Sequence, residues 1–166
     1  MSKITEEEIQ KILPKKGPSF EEVKNYLEKY NNEYIIIKCG GSVLVDQDLF
    51  NNFINDISIL NKLGFIPIII HGGGKRISVK LNESGIKSNF INGLRVTDEN
   101  SINIVEEVLN TFNREITNAL KNNGCDSQGI TNKQNNILVV EQENNKLGYV
   151  GTPKEINQSI IELIVK

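Results

Sequence analysis

Imidazole, thiol and long apolar runs are all scarce in this 166-residue chain, and each scarcity removes a class of function. A single histidine, His71, cannot build a histidine-based metal centre. The two cysteines, Cys39 and Cys125, allow no zinc-ligand spacing. So few thiols fit a reducing compartment better than a disulfide framework. No stretch approaches the ~20 apolar residues that span a bilayer, and the opening Met1-Ser2-Lys3-Ile4-Thr5-Glu6 is too acidic for a signal peptide. Charge of either sign is also not in excess: 19 Lys and Arg against 21 Asp and Glu leave a net charge of −2. That balance gives no bulk electrostatic case for nucleic acid. The expectation is a soluble, cytoplasmic protein with no nucleic-acid or membrane partner and no metal held by its own residues.

What is present is one domain's worth of alternating strand and helix signals, long enough to bury ~70% of its unfolded surface. Residues 1–19 are charged and broken by Pro14 and Gly17-Pro18, so they read as a short helix plus linker or a flexible tail. Ser19 offers an N-cap with Glu21 and Glu22 in the first turn, and Val23, Tyr26, Leu27 and Tyr30 follow at helical spacing. That stripe must lie on something, either a neighbouring subunit or its own domain.

The first strand spans roughly Tyr34–Lys38. Asp46 or Asp48 can cap the next helix, whose inner face carries Phe50, Phe53, Ile54, Ile57 and Leu60. Gly64 stops it, and Phe65–Ile70 form the second strand. Strand, helix and strand over about 35 residues make a βαβ unit with a parallel pair. A short helix over Lys75–Ser84 follows and ends at Gly85. Asn92-Gly93, between Phe90-Ile91 and Leu94-Arg95-Val96, is a strong hairpin signal. The longest helix, capped by Thr97 or Asp98, turns Ile102, Val105, Val108 or Leu109, Phe112, Ile116 and Leu120 to the core and stops at Gly124. Ile137–Val140 and Leu147–Val150 read as short strands, and Glu155–Val165 as a final amphipathic helix. No internal repeat is visible. The fold class is α/β: a mostly parallel open sheet with helices on both faces and a β-hairpin lid near residues 86–97.

Both parallel strands end in glycine-rich turns, Lys38-Cys39-Gly40-Gly41-Ser42 and His71-Gly72-Gly73-Gly74-Lys75. If the strands are neighbours, both turns open at one sheet edge, where α/β folds bind ligands. An ammonium at the end of a buried strand is costly to leave unpaired, so Lys38 next to Gly40-Gly41 argues for an anion, best a phosphoryl group. The second turn is neither a Walker loop, since Arg76 stands where Ser or Thr is required, nor a dinucleotide fingerprint, since Ile77 takes the third glycine position. His71 invites a general-base role, but a histidine beside a turn is more often a structural hydrogen-bonding group. Arg95, between Leu94 and Val96, points away from the face those two share, a direction that suits carboxylate recognition. Taken alone, a solvated arginine on an edge strand is the simpler reading. Cys39 alternates away from Lys38 into the core, and Glu106 and Glu107 belong to a solvated helix face.

Four segments together match a known family: Ile37-Lys38-Cys39-Gly40-Gly41-Ser42, Ile70-His71-Gly72-Gly73-Gly74, Asn92-Gly93-Leu94-Arg95-Val96-Thr97-Asp98 and Leu147-Gly148-Tyr149-Val150-Gly151. From about Phe20 onward the chain resembles the amino-terminal part of the acetylglutamate kinases, in the amino-acid kinase superfamily. The first two segments occur across that superfamily; the Asn-Gly-Leu-Arg-Val-Thr run is the more specific one. The resemblance implies transfer of the γ-phosphoryl of ATP, carried with Mg, to the side-chain carboxylate of N-acetyl-L-glutamate, a step of arginine biosynthesis. Lys38 would then be catalytic, neutralising the transferring phosphoryl group, with Gly40 and Gly41 donating to phosphate oxygens. Gly73 and Gly74 would hold the substrate and Arg95 would clamp its α-carboxylate. Residues 20–32 resemble the amino-terminal helix of arginine-inhibited members, which interlaces dimers into a hexamer, so a homo-oligomer with L-arginine as inhibitor is implied. Residues 33–166 would form the N-acetylglutamate-binding lobe. The family's nucleotide lobe, with its second lysine and Asn/Asp pair, has no match here, so the chain reads as truncated. The competing readings are a non-catalytic N-acetylglutamate- or arginine-binding regulatory module, as in some acetylglutamate synthases, and a related acetylaminoadipate kinase.

Overall fold

A computed structural model describes residues 4–40 and 45–165. The order of elements is α1 (Glu6–Ile12), α2 (Phe20–Lys29), β1 (Tyr34–Cys39), α3 (Gln47–Lys62), β2 (Ile66–His71), α4 (Gly74–Glu83), β3 (Phe90–Ile91), β4 (Leu94–Arg95), α5 (Glu99–Asn122), α6 (Asn132–Asn135), β5 (Leu138–Gln142), β6 (Gly151–Ile156) and α7 (Gln158–Val165). Among the described residues no helix is long and apolar enough to cross a membrane.

The centre is the βαβ unit. β1 and β2 pair in parallel, Tyr34 opposite Ile66 through Cys39 opposite His71. The β-branched runs favour this pleated pairing, and the intervening α3 supplies the crossover that parallel strands require. Asp46 caps α3 by accepting from the Asp48 and Leu49 N–H groups. α3 and α5 together cover one face of the pair. Cys39, Ile54, Ile57, Phe112, Ile116, Leu120 and Cys125 form the buried cluster there, with Ile37 and Ile69 packed against it. On the opposite face Ile36 and Ile70 are exposed, 69% and 53% respectively. α5 follows the 3.6-residue apolar spacing from its Asp98 cap to Asn122, and Gly124 takes φ +82° just beyond, as a helix stop does.

At the amino terminus the helical half of the expectation is what forms. Thr5 and Glu8 make a reciprocal capping box on α1, and Ile9 is buried. α2 carries the same kind of box, Ser19 with Glu22, but buries none of its residues. Tyr26 stacks on Tyr30 with ring centroids 6.3 Å apart and stays exposed.

Two carboxy-terminal boundaries differ from the sequence expectation. Leu147–Val150 is not a strand: Asn144 caps a single 3-10 turn over Asn145–Leu147, and Gly148 then takes φ +70°, ψ −124°, which breaks any extended run. The strand that pairs antiparallel with β5 comes later, as β6, and α7 therefore starts at Gln158 rather than at Glu155. The register shifts between Val139 and Val140, which face Glu155 and Pro153. An irregularity of this kind lets a proline sit in a strand without breaking a ladder bond.

Candidate functional site

Register alone brings the two glycine turns to one edge. Lys38 lies opposite Ile70 and Cys39 opposite His71, so both chains leave the sheet side by side at their carboxyl ends. Lys38 is exposed, on the face away from Cys39. Among the described residues a Cβ on Gly40 would meet nothing within 4 Å, and the Gly40 backbone is not left-handed. Gly41, the other glycine expected at this turn, lies outside the described residues.

The second turn leads straight into α4. Gly73 is the N-cap, has no side chain to cap the helix, and no acid stands in the first turn. Among the described residues no side chain caps this end, where the helix dipole favours an anion. Gly73 and Gly74 serve different needs. A Cβ on Gly73 would come to 2.8 Å from Leu109 Cδ2, so this buried turn must be bare to pack on α5. A Cβ on Gly74 would meet nothing within 4 Å.

Arg95 is held against the same helix end. Asn92 and Gly93 both take positive φ, 50° and 82°, the pair of left-handed residues that a two-residue hairpin needs. That turn sets Arg95 opposite Phe90 and Ile91 opposite Leu94. The guanidinium lies 4.7 Å over the Phe90 ring. Nη1 donates to Ser88 Oγ at 2.5 Å, and Nη2 to Ser78 Oγ at 2.8 Å and to the Gly74 carbonyl at 3.1 Å. Partial burial lowers its pKa, yet a guanidinium stays charged at any physiological pH. A fixed cation thus sits beside a helix N-terminus that no described side chain caps, a pair suited to a carboxylate.

Gly73, Gly74 and Arg95 are brought into direct neighbourhood, whereas Lys38 and Gly40 join them only through the shared sheet edge. Ser78, Ser88 and Phe90 escaped the sequence reading. Phe90 had a usable signal, because a two-residue turn at Asn92-Gly93 dictates the Phe90–Arg95 pair. Ser78 and Ser88 had none, being small polar residues in ordinary surroundings.

His71 is built into the scaffold. Its ring meets Phe112 edge-on with centroids 4.8 Å apart, and Asn113 Nδ2 donates to Nε2 at 3.3 Å while also reaching the Ile130 carbonyl. That leaves Nδ1 to carry the proton, 3.5 Å from the Gly72 carbonyl. Burial, the larger influence, pushes the His71 pKa below its ordinary 6.5, against the smaller upward pull of the Gly72 bond. A depressed folded-state pKa means that the unfolded chain binds the extra proton more readily. Stability is therefore lost as pH falls below 6.5 and does not change through this group above it. Urea midpoints taken between about pH 7.5 and about pH 5.5 are expected to fall, and the fall is expected to shrink in His71→Gln. An equal fall in that variant would assign the effect to other groups.

The fold is an α/β domain in which the carboxyl ends of β1 and β2 open side by side at one edge. Residues 33–166 match the amino acid kinase family, and the chain belongs to it. It is 62% identical over 166 residues to the acetylglutamate kinase of Pelagibacter ubique, covering all of this chain and 58% of that protein. It is 39% identical over 142 residues to the acetylglutamate kinase of Campylobacter fetus, covering 84% of this chain and 51% of that protein. The chain thus spans a little over half the length of these curated relatives. Among solved structures, smu.665 from Streptococcus mutans superposes with TM-score 0.65 at 26% identity, over 80% of this chain and 54% of that one. An N-acetylglutamate synthase from Neisseria gonorrhoeae, complexed with coenzyme A and N-acetyl-glutamate, superposes with TM-score 0.68 over 88% of this chain and 34% of its own. At 20% identity that likeness speaks for the fold.

Proposed function

We propose that this chain is the N-acetyl-L-glutamate-binding lobe of an acetylglutamate kinase, which phosphorylates the side-chain carboxylate of that substrate. The observation that carries the reading is Arg95, held by Ser78, Ser88 and the Gly74 carbonyl beside the uncapped start of α4. The α-carboxylate of the substrate would lie on Arg95, with the N–H groups at Gly73 and Gly74 orienting the rest of the molecule. Its side-chain carboxylate would then reach toward Lys38 and Gly40 on the neighbouring strand end. Bound ATP, with its magnesium, supplies the phosphoryl group. Lys38 offsets the charge on that group, and the backbone N–H groups of the Gly40 turn orient its oxygens. The high identity to curated acetylglutamate kinases supports this substrate over others in the family.

Titration calorimetry with N-acetyl-L-glutamate tests the reading, with N-acetyl-L-2-aminoadipate as the longer comparator. Binding of the glutamate compound that Arg95→Ala removes is the expected result. Binding unchanged by that substitution would remove the site assignment, and a preference for the longer compound would move the substrate. α2 belongs to the same proposal as an oligomerisation helix, since its stacked Tyr26 and Tyr30 are both exposed. Sedimentation of the wild type as an oligomer that Tyr26→Glu dissociates is expected; an unaltered sedimentation pattern would reject that role.

A further inference from the structure

The Leu147-Gly148-Tyr149 segment lies outside both glycine turns and touches no proposed substrate group, yet it crosses the chain at the residue where the Arg95 hairpin ends. Thr97 N–H donates to the Leu147 carbonyl at 2.9 Å, and Tyr149 N–H donates to the Thr97 carbonyl at 2.7 Å. These two bonds form an isolated parallel bridge between Thr97 and Gly148. Gln142 Nε2 fixes the other side of the crossing by donating to the Gly148 carbonyl at 3.1 Å. Thr97 and Leu147 are both buried, 6% and 5% exposed.

The hairpin needs such an anchor. β3 and β4 are two residues each, too short for an independently stable ladder, and Phe90, Ile91 and Leu94 are all exposed. Below the tip, one backbone bond from Val96 N–H to the Asn89 carbonyl closes the hairpin. One residue after Thr97, Asp98 caps α5 through the Ser101 N–H at 2.9 Å. The crossing therefore ties Arg95's strand to α5, the helix on which α4 and its Gly73 turn are packed.

We propose that Gly148 is a positioning residue for Arg95. Its backbone, at φ +70° and ψ −124°, is one that side-chain-bearing residues rarely adopt. A Cβ there would also lie 2.3 Å from the Thr97 carbonyl oxygen and 3.0 Å from its carbon, backbone atoms that cannot swing aside. Any side chain at 148 opens the crossing and frees the exit of the hairpin. The consequence for ligand affinity rests on the reading of Arg95 as a carboxylate clamp; the consequence for hairpin order does not.

Gly148→Ala is compared with Gly124→Ala, a site of φ +82° where an added Cβ meets nothing within 4 Å. Hydrogen exchange in the full chain is expected to show protection at Val96, Thr97 and Tyr149 falling about tenfold or more in Gly148→Ala, with α3 and α5 amides unchanged. The affinity for N-acetyl-L-glutamate should drop about tenfold in the same variant and stay within about twofold in Gly124→Ala. Unchanged protection at Val96 and Thr97 would overturn the proposal. So would protection lost equally across α3 and α5, because Gly148 would then be a general stability residue. If the wild type gives no binding heat, the substrate reading falls, and the exchange pattern alone still decides the positioning role.

Discussion

Arg95→Lys is expected to weaken N-acetyl-L-glutamate binding about 100-fold, nearly as much as Arg95→Ala, although the charge is kept. The reason lies in how the guanidinium is held. It makes three hydrogen bonds, to Ser88 Oγ, Ser78 Oγ and the Gly74 carbonyl, and its Cζ lies 4.7 Å over the Phe90 ring. An arginine has five N–H donors, so donors remain for a carboxylate after the scaffold is satisfied. An ammonium has three and no plane: it cannot hold both serines and the ring and also face a ligand. Loss of a charge-assisted contact to a fixed carboxylate is worth about 1.5–3 kcal/mol, which sets the scale of the effect. Ser88→Ala removes one neutral partner of the same group and should cost closer to about 1 kcal/mol of binding. Calorimetric titration of the four proteins orders them. Arg95→Lys within about threefold of the wild type would mean that charge alone, without the fork, serves the site.

How far this site could be read in advance depended on the range of the interactions that build it. β1 and β2 carry the β-branched runs Ile35–Ile37 and Ile68–Ile70, so their place and parallel pairing followed from residues close in sequence. Asn92-Gly93 demanded a specific backbone and thereby fixed the register that puts Arg95 opposite Phe90. The direction of Arg95 was legible, but its role was not, because only family resemblance separated it from a solvated arginine. Interactions between distant segments stayed hidden. Leu147–Val150 looked like a strand by composition, yet its neighbour is Thr97, fifty residues earlier in the chain, and Gly148 leaves the extended backbone of a regular strand. The Pro153 strand was missed for a related reason: its proline is acceptable only opposite an irregular position of β5, which local sequence does not announce. His71 was the opposite case. The bland expectation of a structural hydrogen bond matches the Asn113 contact and the lowered pKa, which keep the ring neutral and occupied.

Phe112→Ala should have the largest effect on stability, about 3–5 kcal/mol, because its side chain is 0% exposed at the meeting point of three elements. Its ring meets His71 edge-on at the end of β2, tilts against Phe50 of α3 with centroids 6.4 Å apart, and has the Arg76 guanidinium of α4 lying 4.5 Å over it. Truncation leaves a cavity whose walls are a strand end and two helices, so collapse is restricted and the cost belongs at the upper part of that range. Set against the roughly 5–15 kcal/mol of a whole domain, this loss is large enough to appear as a major shift in the urea midpoint. The same ring supports the turn after His71, so ligand affinity should fall at temperatures where the variant is still folded. Phe112→Leu separates the two contributions. Leucine fills most of the volume and should recover most of the stability, while the edge contact to His71, worth about 0.5–1.5 kcal/mol, is still missing. A leucine variant that is stable yet binds N-acetyl-L-glutamate more weakly would tie the ring to the order of the Gly72–Gly74 turn. One that recovers stability and affinity together would reduce Phe112 to filling space.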